Sequence, residues 1–172
     1  GPPPAAATTV AAAVPPAIEM VNSPAPAARA STAVRLAAVE LPAAVALAPN
    51  NMDYKTTYGL LLSMSDKNAE AIAELEKVVG SPGYKNTNGF TNLGYAYRNA
   101  EPPQAEKAAT AYTKALELDP KNAQAALGLG WSATLAQKYD EAIPSFAKAM
   151  QLDPKLAGEA HNGTAWDYYF KK

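Results

Sequence analysis

The chain has 172 residues, 48% of them apolar, with 15 basic against 16 acidic side chains and no cysteine. Such a chain can bury a sizeable core, and its composition excludes wholesale disorder. The near-cancelling, scattered charge lacks the basic stripe of a phosphate-backbone binder, and the absence of cysteine excludes disulfides, thiolate nucleophiles and Cys-based metal sites.

The first fifty residues differ from the rest. They hold nine of the fifteen prolines, eighteen alanines, no aromatic residue and only four charges, Glu19, Arg29, Arg35 and Glu40. Alanine buries little area and proline removes a backbone donor, so residues 1–29 are expected to form an extended Ala/Pro-rich arm. Prolines interrupt every apolar run short of membrane-spanning length, and no basic start marks a secretory signal. Gly1 is compatible with a start left by signal removal or with a protease scar.

Residues 30–51 carry Ala37-x3-Leu41-x2-Ala44 followed by Leu47-Ala48-Pro49, the spacing of one helix and its closing turn, although Pro42 opposes that helix. The next unit, 52–86, has Tyr58-Gly59-x2-Leu62 and then Ala71-x3-Leu75-x2-Val78. In unit 87–122, Phe90-x2-Leu93-Gly94-x2-Tyr97 precedes Ala108-x3-Tyr112-x2-Ala115 and Leu118-Asp119-Pro120. Unit 123–156 repeats this as Ala126-x2-Leu129-Gly130-x2-Ala133, Ala142-x3-Phe146-x2-Ala149 and Leu152-Asp153-Pro154. Residues 157–172 read as one further first helix, with Gly163-Thr164 where Leu-Gly falls in the other units.

Apolar residues three and four apart predict amphipathic helices. Small residues at 94, 108, 130 and 142 allow close helix approach, Tyr112 and Phe146 fill the wedge between hairpins, and Pro120 and Pro154 end each unit. One hairpin cannot bury its own apolar face, so the units must stack.

With its period in the mid-thirties and its aromatic-x2-Leu-Gly-x2-Tyr and Ala-x3-Phe motifs, the chain resembles the tetratricopeptide repeat family. The resemblance implies an all-α, right-handed helical solenoid of three full helix-turn-helix repeats flanked by terminal half repeats. It also implies a concave groove lined by first-helix side chains. Thr56, Leu60, Ser63, Asn92, Tyr95, Arg98, Leu127, Trp131, Thr134 and His161 are expected there, with Leu60, Tyr95 and Trp131 as a ladder. Of the carboxylate-gripping set of chaperone-binding members only Asn92 is matched, so an extended apolar peptide suits the groove better than a charged chain end.

Two functions of different kinds follow. In the first, the terminal half repeats complete one another, and copies assemble head-to-tail into an oligomer or fibre through Leu36, Val39 and Leu41 at one end and Trp166, Tyr168, Tyr169 and Phe170 at the other. In the second, a monomeric adaptor holds a partner's extended apolar peptide on Leu60, Tyr95 and Trp131. No phosphate loop, nucleophile elbow, metal-ligand set or cofactor motif stands in the sequence, so no catalysis, metal or cofactor is assigned and nucleic acid is not expected as a partner. The acceptor Asn162-Gly163-Thr164 and the Ser/Thr content of the arm would suit glycans outside the cell. The Ala/Pro-rich start and absent cysteine favour a bacterial envelope or extracellular setting over the cytoplasm.

Overall fold

The computed structural model describes residues 39–171, which are entirely helical apart from their connections. The arm, Leu36 and Lys172 lie outside the described residues. Helix α1 covers 39–47, running through Pro42, which stands exposed. Three antiparallel hairpins follow: α2 (Met52–Met64) with α3 (Asn68–Val79), α4 (Thr87–Arg98) with α5 (Ala105–Leu118), and α6 (Ala123–Leu135) with α7 (Tyr139–Leu152). A 3-10 turn, Pro154–Leu156, leads into α8 (Ala157–Phe170).

Each first helix of a hairpin starts on an asparagine. Asn51 Oδ1 accepts from the backbone N–H of Asp53 and Tyr54 at 3.0 and 3.1 Å, Asn86 from Asn88 at 2.9 Å, and Asn122 from Ala125 at 2.9 Å. These bonds satisfy amides that a helix start otherwise leaves open. Pro144 lies inside α7 but only five residues past its start at Tyr139, and it is exposed. The turns between helices at Asp66 and Gln137 both adopt φ 60°, the left-handed region.

Leu75, Tyr112 and Phe146 fill the wedges between helices and are almost wholly buried. A Cβ built on Gly94 would lie 2.9 Å from the Tyr112 ring and one on Gly128 2.2 Å, so the ring is held between two glycines of successive first helices. Phe146 is held in the same way by Gly130 and Gly163, at 2.7 and 2.3 Å. No larger residue fits without moving a ring that the whole core packs around.

First helices touch the first helices of the next hairpin, whereas neighbouring second helices make almost no contact. The array therefore bends with its first helices inside and its second helices spread on the outer face. Among the described residues, no helix is long and apolar enough to cross a membrane.

The wedge contacts also correct the register of the last helix. Gly128 follows Tyr112 by 16 residues (128 − 112), but Gly163 follows Phe146 by 17 (163 − 146). The 3-10 turn absorbs the extra residue. The place of Leu129-Gly130 in α6 is consequently taken in α8 by Thr164-Ala165, not by Gly163-Thr164, and that of Ala133 by Tyr168.

Candidate functional site

Leu60, Asn92, Tyr95, Arg98 and Trp131 are all half-buried. The Arg98 guanidinium lies 5.3 Å above the Tyr95 ring, a cation–π contact that covers part of that rung. Asn92 Nδ2 donates to the Thr56 carbonyl at 3.3 Å, so this side chain ties α4 to α2. Trp131 sets its ring edge-on to Phe146, centroids 5.3 Å apart, and its Nε1–H donates to Glu159 Oε1 at 3.0 Å. That rung is partly core and partly a link to α8.

Three residues expected in the groove are not available to a ligand. Leu127 is 3% exposed and packs in the core around Phe146. Thr56 is buried, donating to the Met52 carbonyl at 2.7 Å and sharing a 3.1 Å hydrogen bond with Tyr84 Oη. Ser63 is buried and donates to Asn68 Oδ1 at 2.6 Å. The reason is common to all three: helices pack closely along the array, and this buries positions that a flatter stack would leave open. His161 is exposed.

Two shallow hollows lie elsewhere. One, of about 700 Å³, is bordered by Phe90, Leu93, Tyr97, Lys107, Thr110 and Lys114, and another of about 240 Å³ lies between α5 and α7 over Leu129 and Ala133. In the former, Tyr97 Oη donates to Glu76 and Lys107 Nζ lies 5.3 Å above the Tyr97 ring. Burial, then the hydrogen bond to Glu76 and its charge, push the Tyr97 phenol up to about 12, so it stays protonated. Among the described residues, no cluster of His, Asp and Glu could hold a metal ion.

The ends of the array decide more. Leu41, expected to face another copy, is fully buried in a small cluster with Tyr54 and Leu61. It fills the wedge above α2, so it is core and not a free contact. Val39 and Leu47 of α1 are 76% and 87% exposed. At the other end Trp166, Tyr168, Tyr169 and Phe170 are 49%, 58%, 70% and 51% exposed. Trp166 stacks on Phe170 with centroids 5.3 Å apart and planes 12° apart, and Tyr169 meets Phe170 edge-on.

Beneath these rings α8 is fastened by polar contacts. Thr134 Oγ1 donates to Asp167 Oδ1 at 2.7 Å, Trp131 holds Glu159, and Lys171 pairs with Asp140. Asp167 is fully buried, and its Oδ2 has no hydrogen-bond partner. Burial pushes its carboxyl above the usual carboxylate range, opposed by the Thr134 bond.

These stacked hairpins, with glycine-gripped wedges and first helices inside, define a helical-repeat interaction scaffold. The tetratricopeptide repeat model matches residues 92–157, so this part of the chain carries tetratricopeptide repeats. No curated protein matches it in sequence. Among solved structures it is similar to the MamA protein, 20% identical over 90% of this chain and 80% of that one, with a TM-score of 0.66. It is similar to YrrB, described as a TPR protein with an unusual peptide-binding site, 22% identical over 81% and 75% with a TM-score of 0.63. It is also similar to TTC0263, a thermophilic TPR protein of Thermus thermophilus, 18% identical over 84% and 77% with a TM-score of 0.71. At these identities the likeness is one of fold.

Proposed function

We propose that this protein is a non-catalytic structural scaffold that works through protein contacts, and that its copies associate through the outer face of α8. The observation carrying this reading is the register of that helix. Ala165 and Tyr168 hold the places at which α6 uses Gly130 and Ala133 to bury its second helix, and three further exposed rings, Trp166, Tyr169 and Phe170, stand around them. A monomeric soluble protein rarely leaves such a contiguous apolar patch without a partner.

Head-to-tail completion into a fibre would seat Leu41 of one copy on Ala165 of the next. Leu41 is already buried in its own copy, so this arrangement first requires it to be uncovered. Light scattering on the full chain, at micromolar to hundreds of micromolar concentration, tests association. The mass should rise with concentration in the native chain and remain that of one copy when Trp166, Tyr168 and Tyr169 are all replaced by serine. A native chain that stays monomeric throughout sinks the reading.

The second reading, a peptide adaptor, is favoured by the half-buried rungs Tyr95 and Trp131 and by the likeness to YrrB. Tyr95→Ala would then abolish capture of an extended apolar peptide and leave self-association intact.

A further inference from the structure

The register of α8 also bears on the inner side of the array. In each hairpin the expected rung is the residue next after the glycine that meets the second helix: Leu60 after Gly59, Tyr95 after Gly94, Trp131 after Gly130. In α8 Ala165 holds that glycine's place, so Trp166 takes the place of a fourth rung. Its interval is 35 residues (166 − 131), after 35 (95 − 60) and 36 (131 − 95) along the earlier helices. One turn beyond each rung runs a second row, Met64, Asn99, Leu135 and Phe170, of which all but the asparagine are exposed apolar side chains. The stack of Trp166 on Phe170 joins the two rows at α8.

We infer that these two rows are covered by the chain's own segment of residues 1–29, lying across the first helices within one copy. The inference rests on the adaptor reading for the use of the inner face as a peptide site, and goes beyond it by naming the occupant. It leaves Ala165, Tyr168 and Tyr169 on the outer side of α8.

Composition is the first ground. Residues 1–29 hold seven prolines, no aromatic residue and two charges, Glu19 and Arg29, whereas every ring of the chain stands from Tyr54 onward. Proline stacks on aromatic faces without needing a charge, and its fixed φ lowers the cost of ordering a bound segment. On the inner face Arg98 already covers Tyr95 and Glu159 accepts from Trp131. A nearly uncharged ligand fits such a face.

The second ground is where the segment joins the fold. The short connection 48–51 turns α1 back along α2, and Leu41 shares a cluster with Leu61, so Val39 stands level with the last turn of α2. Met64 opens the second row there. Four first helices at about 10 Å spacing put Phe170 about 30 Å away, which about ten extended residues cover at about 3.3 Å each. Thirty-eight residues precede Val39. Being tied to the fold beside its site, the segment meets it at an effective concentration on the order of a millimolar, so a contact too weak to join separate molecules suffices within one.

Both tryptophans, Trp131 and Trp166, are rungs, so intrinsic fluorescence reads this face alone. The test compares the full chain with a full-length variant in which Pro15, Pro16, Pro24 and Pro26 are serine, with helicity by circular dichroism checking that the hairpins stand. Acrylamide should quench the native chain at least about twofold less than the variant, at about 1 micromolar and again about tenfold lower, because a contact within one copy ignores dilution. A synthetic peptide of residues 8–29 should restore protection to the variant, and should bind the native chain at least about tenfold more weakly because the tethered segment competes. Adding Tyr95→Ala to the variant should weaken the peptide about tenfold, the loss of one aromatic contact.

Equal quenching of the two chains overturns the inference. Protection lost on dilution overturns it too, since the cover then comes from another copy. A peptide that binds both chains equally well, and loses affinity with Tyr95→Ala, shows the native face vacant: the tethered occupant fails and the adaptor reading stands. A peptide that binds the variant regardless of Tyr95→Ala lies off the rungs, and the placement fails.

Discussion

Asp167 is the residue whose chemistry is most at odds with its place. It is fully buried, one oxygen is bonded by Thr134 and the other has no partner, and desolvation raises its folded pKa above the unfolded value. The folded state therefore holds the proton more tightly. Ionisation of this group costs stability as pH rises from the ordinary carboxylate range through the raised pKa, and the cost is absent below the unfolded pKa. Lys171, one turn beyond Asp167, pairs with Asp140 at the surface. Asp167→Asn, which keeps an oxygen for Thr134, should stabilise the fold by on the order of 1 kcal/mol at pH 7. The gain should vanish in thermal melts near pH 4, and equal gains at both pH values would refute the account. Little of this is legible in sequence, because an aspartate flanked by the exposed rings of Trp166 and Tyr168 looks like a solvated side chain. By contrast the glycines at 94 and 130 announce their role by standing in a repeated motif. Gly128 and Gly163 do the same work outside the motif, and only the packed rings reveal it.

At the scale of the helix, the period and apolar spacing are enough to place three hairpins and the final helix, because each element has the pattern that buries one face. The sequence reading misses the phase of α8 by one residue. A 3-10 turn changes phase without changing composition, so no residue count detects it. It also leaves the asparagine starts unread, although Asn51, Asn86 and Asn122 recur at intervals of 35 and 36 residues and are the one local signal of where first helices begin. Asn122 does two things at once. Its oxygen caps α6, and its amide donates to both Thr87 and Thr91 of α4 at 3.0 Å. Losing a cap and a cross-helix hydrogen bond together should cost about 2 kcal/mol. Denaturant unfolding of Asn122→Ala checks this, with Asn86→Ala, whose oxygen bonds the single amide of Asn88 and whose amide makes one exposed 3.3 Å bond to Asp53, expected near about 1 kcal/mol. Equal effects would mean that the threonine bonds contribute no more than that exposed one.

For the whole molecule the consequence of stacking is a gradient of stability. In a quasi-one-dimensional array each hairpin is held mainly by its neighbours, so interior helices gain from two interfaces and terminal ones from fewer. Helices α4 and α5 have a hairpin on either side, and Tyr112 of α5 is gripped by glycines of two units. Helix α8 packs against α7 and touches α6, while its outer face is open. Its amides should accordingly exchange with solvent through local opening well before those of α4 and α5, which should report the global unfolding free energy. The self-association proposed for α8 adds a second interface to this helix alone. Mass action then requires that its protection rise with protein concentration, while that of α4 and α5 stays constant. For a dimer the unassociated fraction falls as the square root of concentration once association is well advanced, so the rise should be about threefold for each tenfold increase. Hydrogen-exchange mass spectrometry at two concentrations separates the possibilities. Protection that rises uniformly along the chain would indicate a contact spread over the array, and protection of α8 equal to that of α4 at the lower concentration would mean that its exposed rings leave it no weaker than the interior.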